Sequence, residues 1–390
     1  MQYRELGKTG EKVSILGFGA MRLPTLNSNA QINEKLASEI LSYGIDNGIN
    51  IIDTAYSYHY SDVSGSAGTC EPFLGEFLQN GYREKVLLST KLPSWFVEKE
   101  EDLEFYLNEQ LKRLQTDSID IYLLHAVGSE NWENYKSANV LEFMDTVLSD
   151  GRVKHIGFST HGDFETLLRV VDDYDKWEVA LTQMNYLDET YQTGIDGLNF
   201  LKSCGIGNMV MEPLRGGRLV QNIPQNIKDI WNRSEVKRSP VEWALQYLWN
   251  MENVDCVFSG MNSLEQVKEN IEIASRSLAN TISENDQKII KDVANQYRTQ
   301  KGNDCTTCGY CMPCPNGINI PHCFREYNIA KILNNPSGSA MQYFTYYGDE
   351  VLAHHCTYCD DCVNMCPQMI NIPEELEKVT EYFGETFKHF

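Results

Sequence analysis

The sequence predicts an α/β protein built on a closed (β/α)8 TIM barrel, with a β-hairpin ahead of it and a small, mostly helical, cysteine-rich domain behind it. Three observations carry this. Between about residues 12 and 275, eight short apolar runs alternate with amphipathic segments. The early Gly17-Phe18-Gly19 lacks the third glycine and the acidic ribose residue that an open dinucleotide-binding sheet would show. Finally, nine of the twelve cysteines follow residue 304. The predicted division is 1–298 for the barrel and 299–390 for the second domain.

The elements follow in order. Tyr3–Val13, turning at Gly7-Lys8-Thr9-Gly10, reads as the hairpin. The strand runs are Ser14–Gly19, Ile49–Thr54, Val86–Lys91, Ile119–His125, His155–Ser159, Val179–Asn185, Met209–Pro213 and Val254–Gly260. Between them, stripes such as Leu103, Leu107, Leu111 and Leu114 repeat at helical spacing. Ser239-Pro240-Val241-Glu242 and Ser263-Leu264-Glu265-Gln266 are helix starts with a capping Ser and a Glu or Gln three residues on, and the first adds a leading Pro. Eight strand–helix units close into a barrel whose site lies at the C-terminal strand ends. A last helical pattern, Ser283–Tyr297, leads to the polar linker Arg298–Asp304.

Composition narrows the function. With 33 Lys+Arg against 55 Asp+Glu the formal charge is −22, which disfavours nucleic acid and anionic lipid as partners. No run approaches the ~20 apolar residues of a membrane span, and Met1–Leu6 has no apolar signal-peptide region, so a cytoplasmic protein is expected. Cysteines confined to one end of a large chain point to metal ligation in a reducing compartment.

The tail holds a repeat. Cys305, Cys308, Cys311 and Cys314-Pro315 precede Ile318-Asn319-Ile320-Pro321, and Cys356, Cys359, Cys362 and Cys366-Pro367 precede Ile370-Asn371-Ile372-Pro373. Such runs resemble bacterial ferredoxins, in which one loop wraps three corners of a 4Fe-4S cluster and the fourth thiolate comes from the other run. That resemblance implies a ferredoxin-like domain with two 4Fe-4S clusters. One would be held by Cys305, Cys308, Cys311 and Cys366, the other by Cys356, Cys359, Cys362 and Cys314. The alternative is a pair of four-thiolate zinc sites. The first run departs from the ferredoxin pattern, with two residues rather than three before its last cysteine. Cys70, Cys204, Cys256 and Cys323 read as buried structural thiols.

Asp53, Lys91 and His125 fall near the ends of the second, third and fourth strand runs, with Tyr58 five residues beyond Asp53, so a barrel brings them to one rim. Together with Leu123-Leu124-His125, Gly151–Ser159 and Gln183-Met184-Asn185-Tyr186, this resembles the aldo/keto reductase family over most of residues 3–275, and specifically the subgroup with an appended two-cluster domain.

The resemblance implies an NAD(P)-dependent oxidoreductase that interconverts a carbonyl and an alcohol. Tyr58 would be the general acid, its pKa lowered by Lys91. Asp53 would hold Lys91 charged, and His125 would orient the carbonyl oxygen. Ser159 and Gln183 would hold the nicotinamide amide, and Pro213–Leu219 (Pro213, Leu214 and Arg215 among them) would cradle the phosphates and adenosine with Gly260, Ser263, Gln266 and Asn270. Thr160 replaces the family's usual Asn, and Met211 its usual stacking aromatic. Gly260, Asn262 and Gln266 occupy positions where a cation would bind a 2′-phosphate, which leaves NADH and NADPH both open, with Arg215, Arg218 and Lys268 as substitutes. Tyr56, His59, Tyr60 and Trp95 would line the substrate pocket, and Tyr60–Thr69 is a candidate lid or specificity loop. Expected partners are a small carbonyl or alcohol and a ferredoxin-type electron carrier. The alternative is a redox-sensing or electron-transfer module whose barrel binds nicotinamide or flavin without carbonyl reduction.

Overall fold

The computed structural model describes residues 1–60, 67–305, 307–345 and 348–387. These form two compact units. One comprises Met1–Gly216 and Arg238–Ser283, the other Gly217–Lys237 and Glu284–Phe390.

In the first unit, β1 (Tyr3–Glu5) and β2 (Lys12–Ser14) pair antiparallel as the hairpin. Eight parallel strands then close a barrel: β3 (Leu16–Gly19), β4 (Ile51–Asp53), β5 (Leu87–Leu92), β6 (Ile119–Val127), β7 (Val153–Thr160), β8 (Val179–Gln183), β9 (Gly207–Met211) and β10 (Cys256–Ser259), with β10 pairing back to β3. Its helices are α1 (Glu34–Asp46), α2 (Cys70–Leu78), α3 (Glu100–Arg113), α4 (Ser129–Ser137), α5 (Val140–Ser149), α6 (Phe164–Asp172) and α7 (Gly194–Ser203). The segment α8 (Gln225–Trp231) belongs to the second unit, and α9 (Pro240–Trp249) and α10 (Leu264–Arg276) complete the first. The anticipated helix starts are realised: Ser239 Oγ accepts from the Glu242 N–H and Ser263 Oγ from the Gln266 N–H.

Parity decides what the barrel encloses. Side chains alternate across a strand. Ile51, Leu87, Ile121, Leu123, Val179, Leu181, Met209, Cys256 and Phe258 form one interior cluster, joined by Leu6 and Val13 of the hairpin. The hairpin turn lies against the strand bottoms: the Lys8 N–H donates to the Gly205 carbonyl, and a Cβ on Gly7 would lie 2.3 Å from the Gly207 nitrogen. Gly157 is equally constrained, because a Cβ there would meet the Val179 carbonyl oxygen at 2.1 Å.

The second unit holds α8, α11 (Glu284–Arg298), α12 (Ile320–Ile332), α13 (Pro336–Thr345) and α14 (Ile372–Phe387). Helix α11, on the barrel side of the boundary expected at residue 298, packs on α8 within this unit. The repeat produces equivalent elements, since each Asn-Ile-Pro opens a helix. The Asn319 side chain caps α12 by accepting from the His322 N–H, and Asn371 precedes α14. A core of Ile318, Phe324, Tyr343, Leu352, Ile370 and Phe383 lies beneath the cysteine loops. Among the described residues no helix is long and apolar enough to cross a membrane.

The Gly157 contact gives a direct test. Its neighbour is backbone within a closed sheet and cannot move aside, so Gly157→Ala should destabilise the barrel by about 1–3 kcal/mol or more. Thermal unfolding followed by circular dichroism should show a clearly lower midpoint. An unchanged midpoint would mean that β7 and β8 are not packed this closely.

Candidate active site and cysteine chamber

The parity that buries the interior cluster carries polar side chains onto the same inner face at the strand ends. Asp53 lies two residues beyond Ile51, His125 two beyond Leu123, Gln183 two beyond Leu181 and Met211 two beyond Met209, with Lys91 and Ser159 at equivalent positions on β5 and β7.

At this rim Lys91, 1 % exposed, is the centre of a three-way contact. Its ammonium donates to Asp53 Oδ2 at 2.6 Å, to the Thr54 carbonyl at 2.7 Å and to the Tyr58 hydroxyl at 2.9 Å. Ser89 donates to the other Asp53 oxygen at 3.1 Å. Burial works against the ammonium, but Asp53 and Tyr58 outweigh it and hold Lys91 above the usual lysine value. Burial also raises the Tyr58 hydroxyl, and this exceeds the lowering by Lys91. The expected net depression of Tyr58 is therefore not found in the protein alone: desolvation of the phenolate is the larger effect, and Asp53 adds to it.

His125 sits edge-on to Tyr58, ring centroids 6.2 Å apart, with Trp95 4.9 Å away on its other side. Its buried Nδ1 has no hydrogen-bond partner. Burial, then the nearby charges of Lys91 and His161, push its pKa well below the ordinary histidine value. A neutral imidazole with an uncommitted ring nitrogen beside a tyrosine hydroxyl can hydrogen-bond an oxygen placed between them.

The cofactor residues expected from the sequence divide by the bonds they already make. Asp188, buried, accepts from Gln183 Nε2 at 2.7 Å, Asn185 Nδ2 at 2.8 Å and Arg215 Nε at 2.9 Å. This fixes the Gln183 amide and leaves its buried Oε1 without a partner. Ser159 Oγ accepts from the Ala126 N–H, so its hydroxyl proton is free to be donated. One orphan acceptor and one free donor at neighbouring strand ends fit a primary carboxamide such as that of nicotinamide. Thr160 does not share this role, because its hydroxyl donates to the Val127 carbonyl and accepts from the Gly162 N–H.

Pro213 is buried and Leu214 half-buried beyond Met211. Gln266 Oε1 accepts from the Asn262 N–H above the Ser263 cap, and Asn270 donates to Ser259. The substitute cations are engaged elsewhere: Arg215 on Asp188, Arg218 on the Gly338 carbonyl, and Lys268 5.5 Å from the Tyr43 ring centre.

Of the expected pocket residues, Trp95 reaches His125 and Tyr60 is exposed. Tyr56 packs instead on Phe96 and Tyr106, with the Arg113 guanidinium over its ring. His59 is a structural tie rather than a lining group, its ring nitrogens lying 2.8 Å from the Asn29 carbonyl and 3.1 Å from that of Ala20. Residues 61–66 of the candidate lid lie outside the described residues.

Behind the rim is a network that the sequence did not announce. The fully buried Glu71 accepts from Thr90 at 2.7 Å, Gln110 at 2.7 Å and Arg113 at 2.8 Å. Arg113 also donates to the carbonyls of Tyr56 and Gly68, on either side of Tyr58. A Cβ on Gly68 would lie 1.8 Å from the Tyr58 carbonyl oxygen. The only hint in sequence was an acid in the apolar Cys70–Leu78 helix.

In the second unit, Cys305, Cys308, Cys311 and Cys366 line one small chamber together with Ile320, Phe324, Pro367 and Ile372. Burial and then the thiols of Cys305, Cys308 and Cys366 push Cys311 up to about 11. Cys362 is likewise pushed up to about 11 by burial, with the thiols of Cys311, Cys314 and Cys356 nearby. The Thr307 N–H points at Cys305 Sγ, 3.4 Å away. This chamber thus draws the Cys366 thiol from the opposite run, and an apolar-walled space ringed by four sulfurs fits a cubane cluster. Among the remaining cysteines Cys70, Cys256 and Cys323 are buried, whereas Cys204 is exposed, at the end of α7.

Comparison with known proteins agrees with the barrel and with the cysteine-rich domain. Residues 15–293 match the aldo/keto reductase family and residues 304–378 a 4Fe-4S dicluster domain. The chain is 26% identical over 327 residues to Protein tas of Escherichia coli, covering 70% of this chain and 92% of that one. It is 30% identical to a 6-dehydroglucose reductase of Novosphingobium aromaticivorans, over 58% of this chain and 73% of that protein. The solved holo form of aldo-keto reductase AKR11C1 from Bacillus halodurans superposes with a TM-score of 0.60 at 25% identity, covering 75% of this chain and 96% of that one.

The depressed His125 pKa has a consequence for stability. The unfolded chain binds a proton at residue 125 more readily than the fold does, so the stability this group contributes is present above about pH 6.5 and lost as pH falls below it. Taking wild type minus His125→Gln, the difference in thermal midpoint should shrink between about pH 7.5 and about pH 5.5. A constant difference would show that the imidazole is not held neutral.

Proposed function

The chain belongs to the aldo/keto reductase family, and from that premise we propose that it is an NAD(P)-dependent oxidoreductase interconverting a small carbonyl compound and its alcohol, with a pair of 4Fe-4S clusters in its second domain. The observation that carries the reading is the Lys91 ammonium, buried and shared between Asp53 and the Tyr58 hydroxyl at 2.6 and 2.9 Å. A structural lysine has no need of a phenol, and a binding surface has no need of a polarised proton donor.

Bound across the rim, a reduced nicotinamide would supply hydride to the carbonyl carbon. Ser159 and Gln183 would hold its carboxamide by the donor and acceptor left uncommitted in the fold. Tyr58 gives its hydroxyl proton to the carbonyl oxygen, so that one hydride and one proton complete the alcohol. The phenolate left behind lies against the Lys91 ammonium, which stabilises the charge as it forms. Burial that raises the resting Tyr58 pKa keeps the proton on the donor until an acceptor arrives, and the ammonium favours its release. Asp53 keeps Lys91 protonated and aimed. His125 donates a hydrogen bond to the same oxygen, and Trp95 covers the substrate side. In the alcohol-to-carbonyl direction the same groups act in reverse. Gly260, Asn262 and Gln266 provide no cation for a 2′-phosphate, so the choice between NADH and NADPH stays open.

Cys305, Cys308, Cys311 and Cys366 would hold one cluster and Cys356, Cys359, Cys362 and Cys314 the other, and the clusters would supply single-electron chemistry. Cys308 and Cys359, the second cysteine of each run, are exposed, which supports exchange with a ferredoxin-type carrier at the surface. Hydride chemistry moves electrons in pairs and each cluster carries one, so direct exchange between nicotinamide and clusters would need a two-electron gate such as a flavin.

Two experiments test these assignments. Tyr58→Phe should lower kcat for carbonyl reduction by about 10²–10⁴-fold, with dissociation constants for NADH and NADPH within about twofold of wild type. Retained turnover removes Tyr58 from the mechanism. Anaerobically purified protein should contain about eight iron atoms per chain and give a reduced-cluster EPR signal after dithionite, and Cys366→Ser should lose about half the iron. Stoichiometric zinc with a silent spectrum overturns the cluster assignment.

A further inference from the structure

We propose that Arg22 clamps the pyrophosphate of the dinucleotide, supplying the cation that the eighth-strand region lacks; this rests on the nicotinamide-dependent reading above.

The argument starts from what Arg22 touches. It ends the short 3-10 turn Ala20–Arg22 directly after β3, whose last residue, Gly19, is in register with Asp53. The turn is tied down, its Ala20 carbonyl taking His59 Nε2 at 3.1 Å and the Cys70 thiol at 3.6 Å. The aliphatic stem of Arg22 lies along Gly260: a Cβ on that glycine would meet Arg22 Cβ, Cδ and Cγ at 3.1–3.3 Å. Its guanidinium reaches Gly216, where a Cβ would meet Nη2 at 3.1 Å. Gly216 has φ +66, a conformation that favours glycine. One arginine therefore bridges the loops after β9 and β10 across two positions without side chains. Among the described residues the Arg22 side chain has no hydrogen bond or ion pair, in a chain of formal charge −22.

Position along the cofactor selects the pyrophosphate. The uncommitted Ser159 and Gln183 groups lie at the ends of β7 and β8 and receive the carboxamide. The family resemblance would put the adenosine end at the loop that starts α10, beyond β10. A dinucleotide reaching from one to the other would pass the end of β9 and then the gap between Gly216 and Gly260, which would receive its two bridging phosphates. A guanidinium with several fixed N–H donors suits that diphosphate, and glycines on both sides let backbone approach it.

The test is equilibrium binding to the full-length chain, read by fluorescence, with NADH, NADPH and ADP-ribose, a probe that keeps the pyrophosphate and lacks nicotinamide. Arg22→Ala should weaken all three by about ten- to hundredfold and flatten the salt dependence of binding, with Arg22→Lys between. Its thermal midpoint should stay within about 1 °C, because no protein partner is lost. Unchanged affinity for all three in Arg22→Ala overturns the assignment. So does a loss confined to NADPH, which would place the guanidinium on the 2′-phosphate. Wild-type protein that binds neither NADH nor NADPH would instead overturn the nicotinamide reading itself.

Discussion

A lysine ammonium almost wholly removed from water is the constraint around which the barrel rim is organised. An isolated buried charge is too costly to persist, so each donor proton of Lys91 must be matched. Asp53, the Thr54 carbonyl and the Tyr58 hydroxyl take them, at 2.6, 2.7 and 2.9 Å. Two of these partners come from the end of β4 and the third from the loop behind it, so correct solvation of one side chain fixes the course of the chain from residue 53 to 58. The Glu71–Arg113 network secures that loop from outside by holding the carbonyls of Tyr56 and Gly68. Tyr58 is thus fixed from both sides, as a group that must deliver a proton to one point requires.

The same economy explains the cofactor side. Asp188 accepts three hydrogen bonds and so decides which atoms of its neighbours stay free. By occupying the Gln183 amine it exposes an acceptor, and by holding Arg215 it removes a cation from the phosphate region. On the proposed reading, a buried carboxylate would therefore determine both what the nicotinamide end can recognise and where a phosphate-binding charge must come from.

Much of this was legible in the sequence because it follows local rules. Strand runs bounded by turn residues gave all eight barrel strands, and the strand ends of a barrel brought Asp53, Lys91 and His125 to one rim, whereas Ser159, Gln183 and Met211 came from the family resemblance. The exchange of Cys314 and Cys366 was implied only by the resemblance of the cysteine runs to two-cluster ferredoxins. What stayed hidden depends on long-range contacts. His59 resembled a pocket residue because it follows Tyr58, yet its backbone turns to φ +62 and its ring bridges two carbonyls in a different loop. Tyr56 turned toward Arg113, a partner 57 positions away. The Tyr58 pKa was expected to follow its nearest charge, but dehydration of the whole site outweighs one ammonium. Cys204 seemed an ordinary core thiol, and only the three-dimensional position of the end of α7 exposes it.

The overall charge sets one further condition. A chain at −22 repels an anionic dinucleotide at long range, and salt shortens that repulsion to a Debye length of about 8 Å under physiological conditions. Affinity must then come from donors fixed within contact distance. Neutral donors at the nicotinamide end distinguish the carboxamide but leave the diphosphate uncompensated. With Arg215, Arg218 and Lys268 engaged elsewhere, the uncommitted cation at the mouth of β3 is placed to supply that compensation. On the proposed reading, its position beside the strand pair that also carries Asp53 would link cofactor recognition to Lys91 through one edge of the barrel.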